Sequence, residues 1–170
     1  MNKISLTELE QRLSQVKLLA LDVDGVLTDG GLYYTETGEE LKKFNVKDGM
    51  GIKLVIQAGI AVAIITNSTS TCVIHRAKKL GIPHVLLGIE DKLTALKNLC
   101  NKLQLDLSQV AYVGDDINDL SVLKAIGCPI TVADAIQENQ RCAIYVTGKS
   151  GGCGAVREVC DRLLFNISYS

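Results

Sequence analysis

Apolar and polar positions change period along the chain, from that of a helix to that of a buried strand and back. Leu6, Leu9, Leu13 and Val16 recur at helical spacing behind Ser5-Leu6-Thr7-Glu8, a capping-box signature that predicts a short leading helix within residues 1–16. Leu18-Leu19-Ala20-Leu21 is then apolar without interruption, as expected of a strand covered on both faces. Further apolar runs of strand length stand at Ile60–Ile65, His84–Leu87, Val110–Val113, Pro129–Val132 and Ala143–Val146. Helical stretches are predicted between them: from Asp48 through Gly51 to Ala58, about 71–80, from Lys92 with Leu93, Leu96 and Leu99 on one face, after Asp119, near 136–140, and about 155–165. Gly59 and Gly81 close two of these. Strand and helix alternate, which predicts an α/β fold: a doubly wound parallel sheet with right-handed crossovers, in one domain over 1–170. One segment breaks the alternation. Leu32-Tyr33-Tyr34 and Leu41–Phe44 flank a Gly38 turn and predict a β-hairpin inserted at 31–44. A lone hairpin is marginal in water, so it is expected to meet a lid position or a subunit contact.

Composition narrows the class. The 170 residues are 47% hydrophobic and 4% aromatic, without Trp, and carry a net charge of −1. That balance supplies neither the basic footprint nor the stacking surface of a nucleic-acid protein, nor a charge to hold an anionic membrane. No apolar run approaches the ~20 residues that span a bilayer, and the first residues lack a secretory pattern, so a cytoplasmic location is expected. Cys72, Cys100, Cys128, Cys142, Cys153 and Cys160 are scattered with no C-x-x-C pair. They are expected to be reduced thiols packed as small hydrophobes. His75 and His84 lack acidic or thiol partners at ligand spacing and are read as helix-surface and strand-edge residues.

The chemistry gathers at predicted strand ends. Asp22 and Asp24 follow the first strand, Thr66-Asn67-Ser68 the second, and Gly114-Asp115-Asp116-Ile117-Asn118-Asp119 the Val110–Val113 run, while Lys92 opens a helix. The i, i+2 spacing starts both leading carboxylates on one side of the strand, and parallel sheets bind ligands beyond such ends. Two close carboxylates repel unless a cation lies between them, and Mg2+ suits one or two carboxylates plus phosphate oxygens. Gly148-Lys149-Ser150 is no P-loop, because Ala143 stands where a glycine is required. Asp22-Val23-Asp24-Gly25 has its glycine too early for a calcium loop.

D-x-D-G-V at Asp22–Val26, Thr66, Lys92 and G-D-D-x-x-D at Gly114–Asp119, in that order, resemble the haloacid dehalogenase superfamily of Mg2+-dependent phosphatases. Asp22–Gly30, Lys43–Gly49 and Gly154–Glu158 further resemble the 3-deoxy-D-manno-octulosonate 8-phosphate (KDO 8-phosphate) phosphatase family of lipopolysaccharide synthesis. The resemblance covers Val16 to Leu164. It implies a Rossmann-like haloacid dehalogenase fold without a large cap domain, and a homotetramer whose hairpins pack together and close neighbouring sites. It also implies hydrolysis of a keto-deoxy sugar acid phosphate through an aspartyl-phosphate. Asp22 would attack phosphorus; Mg2+ would be held by Asp22, the Asp24 backbone carbonyl and Asp115. Lys92 and Thr66 would hold the phosphoryl oxygens, and Asp24 would serve as acid and then base. Asp119 would support the metal or position Lys92, Asp116 would reach the metal through water, and Asp29, Asp48 and Arg157 would be substrate or supporting contacts.

Two departures stand near the substrate. Where that family commonly has Gly-Arg after the threonine this chain has Asn67-Ser68, and its Gly-Gly-Arg-Gly loop reads Gly151-Gly152-Cys153-Gly154. Two bidentate cations are thus missing, with Lys47, Lys149 and Arg157 as candidate replacements. A nine-carbon sialic acid or KDN-type 9-phosphate is the competing substrate. A receiver-like signalling domain shares the residue types, but there the lysine follows the acidic clusters, whereas Lys92 precedes Asp115. A non-catalytic assembly module is the third reading.

Overall fold

The computed structural model describes residues 4–168, with side chains through 165. Helix α1 (Leu6–Ser14) leads into β1 (Leu18–Leu21); β2 (Tyr33–Tyr34) and β3 (Glu40–Leu41) form the hairpin. There follow α2 (Val46–Gln57), β4 (Ala61–Ile65), α3 (Cys72–Leu80), β5 (His84–Leu86), α4 (Lys92–Leu103) and β6 (Val110–Val113). A 3-10 turn at Ile117–Asp119, α5 (Leu120–Leu123), β7 (Cys128–Thr131), α6 (Gln137–Cys142), β8 (Tyr145–Val146) and α7 (Ala155–Ser168) complete the chain. Six strands make one parallel sheet in the order β5-β4-β1-β6-β7-β8.

The uninterrupted apolar runs have a simple cause. Successive strand side chains point to opposite faces, so β1 splits its leucines between two cores. Leu19 and Leu21 join Val62, Ile64, Ala111 and Val113 beneath α1, α2 and α7, while Leu18 and Ala20 join Ala63, Ile65, Val110 and Tyr112 beneath α4 and α5. Every β1 and β6 residue is buried. Each leucine so enclosed contributes on the order of 2 kcal/mol.

The elements differ from expectation mainly at their ends. Helix α2 begins at Val46 rather than Asp48 because Asn45 caps it, its side chain accepting from the Lys47 amide at 2.8 Å. Asp48 is instead buried, and its carboxylate accepts from the Arg157 amide at 2.8 Å. It thereby satisfies the first turn of α7 from another helix, as an N-cap residue would. Close contact between the two helices needs Gly51, where a Cβ would stand 2.9 Å from the Cys160 Cβ. The hairpin strands are two residues each, and Phe44 leaves the hairpin to pack on the core. Cys100, Cys128 and Cys160 are buried thiols as expected and Cys72 and Cys142 are half-buried, but Cys153 is exposed although the glycines on either side of it are buried. All six cysteines are free. No helix among the described residues is long and apolar enough to cross a membrane.

Candidate active site

Because β1, β4 and β6 run parallel and adjacent, their carboxyl ends deliver Asp22, Thr66 and Asp115 to one edge of the sheet. The order of strands reverses about β1, with β4 and β5 laid down on one side and β6 to β8 on the other, which opens the crevice. The Asp22 amide still continues the sheet, donating to the Val113 carbonyl at 3.0 Å, so its side chain is fixed by the core and almost wholly buried. The chain then turns through Gly25 at φ +81°, a left-handed position, where a Cβ would lie 1.9 Å from Asp115 Oδ2. Glycine therefore lets the Asp115 carboxylate close against the Asp24–Gly25 backbone.

Beneath the acidic pair lies a buried ion cluster. Lys92, at the start of α4, is fully enclosed, with Nζ 3.0 Å from Asp22 Oδ2 and 2.8 Å from Asp119 Oδ1. Asp119 takes four donors: Lys92 Nζ and the Tyr112 hydroxyl (2.6 Å) on Oδ1, and the Asp115 (2.9 Å) and Asp116 (3.3 Å) amides on Oδ2. Its carboxylate replaces a side chain at Gly114, where a Cβ would meet Asp119 Cγ at 2.4 Å. Burial disfavours the Lys92 ammonium, yet Asp22 and Asp119 outweigh it and its pKa is raised. Burial, and then the charge of Asp119, pushes Asp22 up to about 6. Burial, and then Asp22 and Asp119, pushes Asp115 up to about 8. Lys92 alone thus leaves negative charge in excess.

The residues present fit a divalent cation. Oxygens of Asp22, Asp115 and Asp119 lie within 4.8 Å of one another. Asp119 is committed to its donors, whereas Asp115 Oδ1 is buried with no hydrogen-bond partner. An orphaned carboxylate oxygen facing a second carboxylate is a hard-cation ligand set.

Thr66 is buried, and its Oγ1 accepts from the Ser68 amide at 3.1 Å. A cleft of 120 Å³ joins Asp22, Asp24, Thr66, Asn67, Asp115 and Asn118. A larger cleft of 480 Å³ shares its Asp24, Asn67 and Ser68 and runs on between Leu32 and Lys42 of the hairpin segment. Asp116 is exposed and caps the Ile117 amide at 2.7 Å. Asp29 pairs with Lys43 and accepts from the Gly31 amide. Lys47, Asp48 and Arg157 line neither cleft: Lys47 is exposed on the first turn of α2, and Arg157 Nε donates to Asp161 at 2.7 Å. Lys149 is likewise outside both.

Sequence reasoning passed over Tyr112, Glu40 and Lys42. A tyrosine inside an otherwise aliphatic buried strand was a signal, since a buried hydroxyl needs a partner. Lys42 and Glu40 share one hairpin face, and no local spacing relates them to Asp24.

Comparison with known proteins agrees with this geometry. Residues 84–159 match the family model of the haloacid dehalogenase-like hydrolases. The chain is 48% identical over 154 residues to the 3-deoxy-D-manno-octulosonate 8-phosphate phosphatase of Yersinia pestis, covering 91% of this chain and 82% of that protein. The chain belongs to the KDO 8-phosphate phosphatase family of haloacid dehalogenase-like hydrolases. Among solved structures, the phosphatase of Moraxella catarrhalis, in complex with magnesium, phosphate and KDO, superposes with a TM-score of 0.93 at 44% identity over 95% of this chain and 93% of that one. The cobalt-bound phosphatase of Haemophilus influenzae gives 0.90 at 39% identity, covering 93% and 92%. This haloacid dehalogenase-like phosphatase is a phosphoric monoester hydrolase with Mg2+ as cofactor and no large cap.

Proposed function

We propose that the enzyme hydrolyses the phosphate monoester of a keto-deoxy sugar acid, KDO 8-phosphate, through a phosphoryl group carried on Asp22. The carrying observation is the buried Asp22–Lys92–Asp119 chain beside the orphaned Asp115 oxygen. A nucleophile fixed by the core, a cation beside it and a metal-ligand oxygen thus stand together, with no histidine or cysteine competing for the role.

Each residue then has a definable task. Asp22 attacks phosphorus as a carboxylate and needs no base, because phosphoryl transfer asks chiefly for positioning and charge neutralisation. Lys92 offsets charge on the transferring oxygens while Asp119 holds it in place. The Thr66 hydroxyl already accepts from the Ser68 amide, which leaves its proton free to donate to a phosphoryl oxygen. Asp24, half-buried where the two clefts meet, protonates the departing alcohol and then takes a proton from the water that releases phosphate from Asp22. Asp22, Asp115 and the Asp24 backbone carbonyl would hold Mg2+, which would supply Lewis-acid neutralisation of charge on the transferring phosphoryl group.

For the substrate, support comes from the Moraxella catarrhalis relative, whose structure holds KDO and phosphate. Ser68 and Cys153, standing where arginines are common in the family, favour a nine-carbon acid 9-phosphate as the second reading. Exposed Leu32, Tyr33, Tyr34 and Leu41 on so short a hairpin support a homotetramer joined through it, and six free thiols agree with a cytoplasmic site of action. Phosphate release should be measured with Mg2+ over KDO 8-phosphate, the nine-carbon 9-phosphates and common sugar phosphates. Repeated turnover, fastest on KDO 8-phosphate and lost in Asp22→Asn, is expected. A faster nine-carbon acid would move the specificity, and a single labelling event without turnover would return the receiver-like reading.

A further inference from the structure

Lys42 reaches from the hairpin to the reacting end of the site. Its Nζ lies 2.6 Å from Asp24 Oδ1 and 2.9 Å from Glu40 Oε1. The Lys42 side chain is only 3% exposed although it springs from an open hairpin, whereas that of Asp24 is 39% exposed. A lysine covered to that degree gives up rotamer freedom and hydration. Two carboxylates compensate it, and one of them belongs to the residue assigned to proton transfer. Asp24 sits in a turn and the core does not enclose it, so little else fixes its torsions.

We propose that Lys42, anchored by Glu40, is a positioning residue that holds one Asp24 oxygen and so presents the other to the leaving-group oxygen. With Oδ1 engaged by the ammonium, Oδ2 is the oxygen left to face the cleft that Asp24 shares with the hairpin segment and the Asn67–Ser70 loop. Orientation of this kind acts on the step in which the alcohol departs. Its contact is with the Asp24 side chain and not with Asp22, Lys92 or Asp115, which are held from beneath by the sheet and α4. The hairpin thereby becomes part of the catalytic arrangement, since moving it withdraws the ammonium that sets Asp24.

The inference rests on the acid role given to Asp24, and leaving-group dependence separates the two. An alkyl phosphate needs a proton on its departing oxygen, whereas p-nitrophenyl phosphate leaves as a stable anion. We would compare kcat/KM, which reports steps through the first departure, for the best sugar phosphate and for p-nitrophenyl phosphate. Asp24→Asn is expected to lower the sugar-to-aryl ratio about 100-fold, the scale of general acid catalysis. Lys42→Met is expected to lower it about 10-fold, with Lys42→Arg restoring it to within about 3-fold. Glu40→Gln, which keeps Lys42 and its contact with Asp24, guards against misfolding of Lys42→Met and should lower the ratio about 3-fold, since one of the two anchors is lost. A Lys42→Met enzyme that loses both activities in equal proportion, or a ratio unchanged in both the Lys42→Met and Glu40→Gln enzymes, overturns the positioning role. A ratio unchanged in Asp24→Asn overturns the acid assignment itself.

Discussion

Asp119→Asn is nearly isosteric, yet the structure makes it costly. A carboxylate accepts on both oxygens, and here both are filled: Oδ2 by two backbone amides, Oδ1 by the Lys92 ammonium and the Tyr112 hydroxyl. An amide has one accepting oxygen. The backbone donors cannot turn away, so the oxygen must face them and the NH2 must face Oδ1's partners. Tyr112 can rotate its hydroxyl to accept; Lys92 cannot. The ammonium keeps only Asp22, at 3.0 Å, and meets a donor where it had a carboxylate. Removing one partner of a buried ion pair costs about 3 kcal/mol, which in a chain of this size lowers Tm by about 6–12 °C. Lys92 will also shift toward Asp22, and misplacement of this kind costs on the order of 100-fold in kcat. Urea unfolding and steady-state phosphate release on the same preparations measure both. Tyr112→Phe is the calibrating variant: it deletes one hydrogen bond and should cost only about 1 kcal/mol. If Asp119→Asn loses under about 1 kcal/mol and keeps kcat within about 3-fold, Asp119 is not what holds Lys92.

Two further predictions concern the metal. Asp22 and Asp115 are raised from 3.8 to about 6 and about 8, so between about pH 4 and 8 the metal-free folded chain binds more protons than the unfolded one. Its stability therefore falls as pH rises through that window. Mg2+ removes the cause, so the Tm increase on adding Mg2+ to EDTA-treated protein should be small at pH 5 and grow toward pH 8; equal increases at both would contradict the charge assignment. Gly25→Ala imposes a Cβ 1.9 Å from Asp115 Oδ2 at a left-handed φ, and calorimetry should show Mg2+ affinity at least 10-fold weaker, with turnover lost in parallel; unaltered affinity would remove Asp115 from the ligand set.

The sheet was legible because burial on both faces leaves runs such as Leu18–Leu21 and Val110–Val113 without a polar residue, and the glycines after the helices mark their stops. Asp22, Thr66 and Asp115 were legible for the same reason: a polar residue directly after such a run, or one glycine beyond it, stands at a strand end, and parallel strands put those ends together. Element ends were less so, since whether Asn45 or Asp48 starts α2 turns on α7, more than a hundred residues away in the chain. Lys42 was hidden by the hairpin, where a shift of one residue would send its side chain to the other face. Asp48 reads from the residues alone as a turn or capping residue and only by resemblance as a substrate or supporting contact; its buried carboxylate caps the Arg157 amide of α7.

The place of β1 at the centre of the sheet also sets when this enzyme can first exist. Its hydrogen-bonding partners are β4 on one side and β6, near residue 110, on the other, and loop closures of that length are slow relative to local helix formation. A chain emerging from the ribosome carries Asp22 early, but the carboxylate opposite it belongs to a strand made two thirds of the way along. Until that strand docks, Asp22 and Asp24 are two acids at the end of a strand with one edge still open. The cell's magnesium thus meets an assembled site only once most of the sheet has formed, and the capacity to take phosphate arrives as one of the last acts of folding.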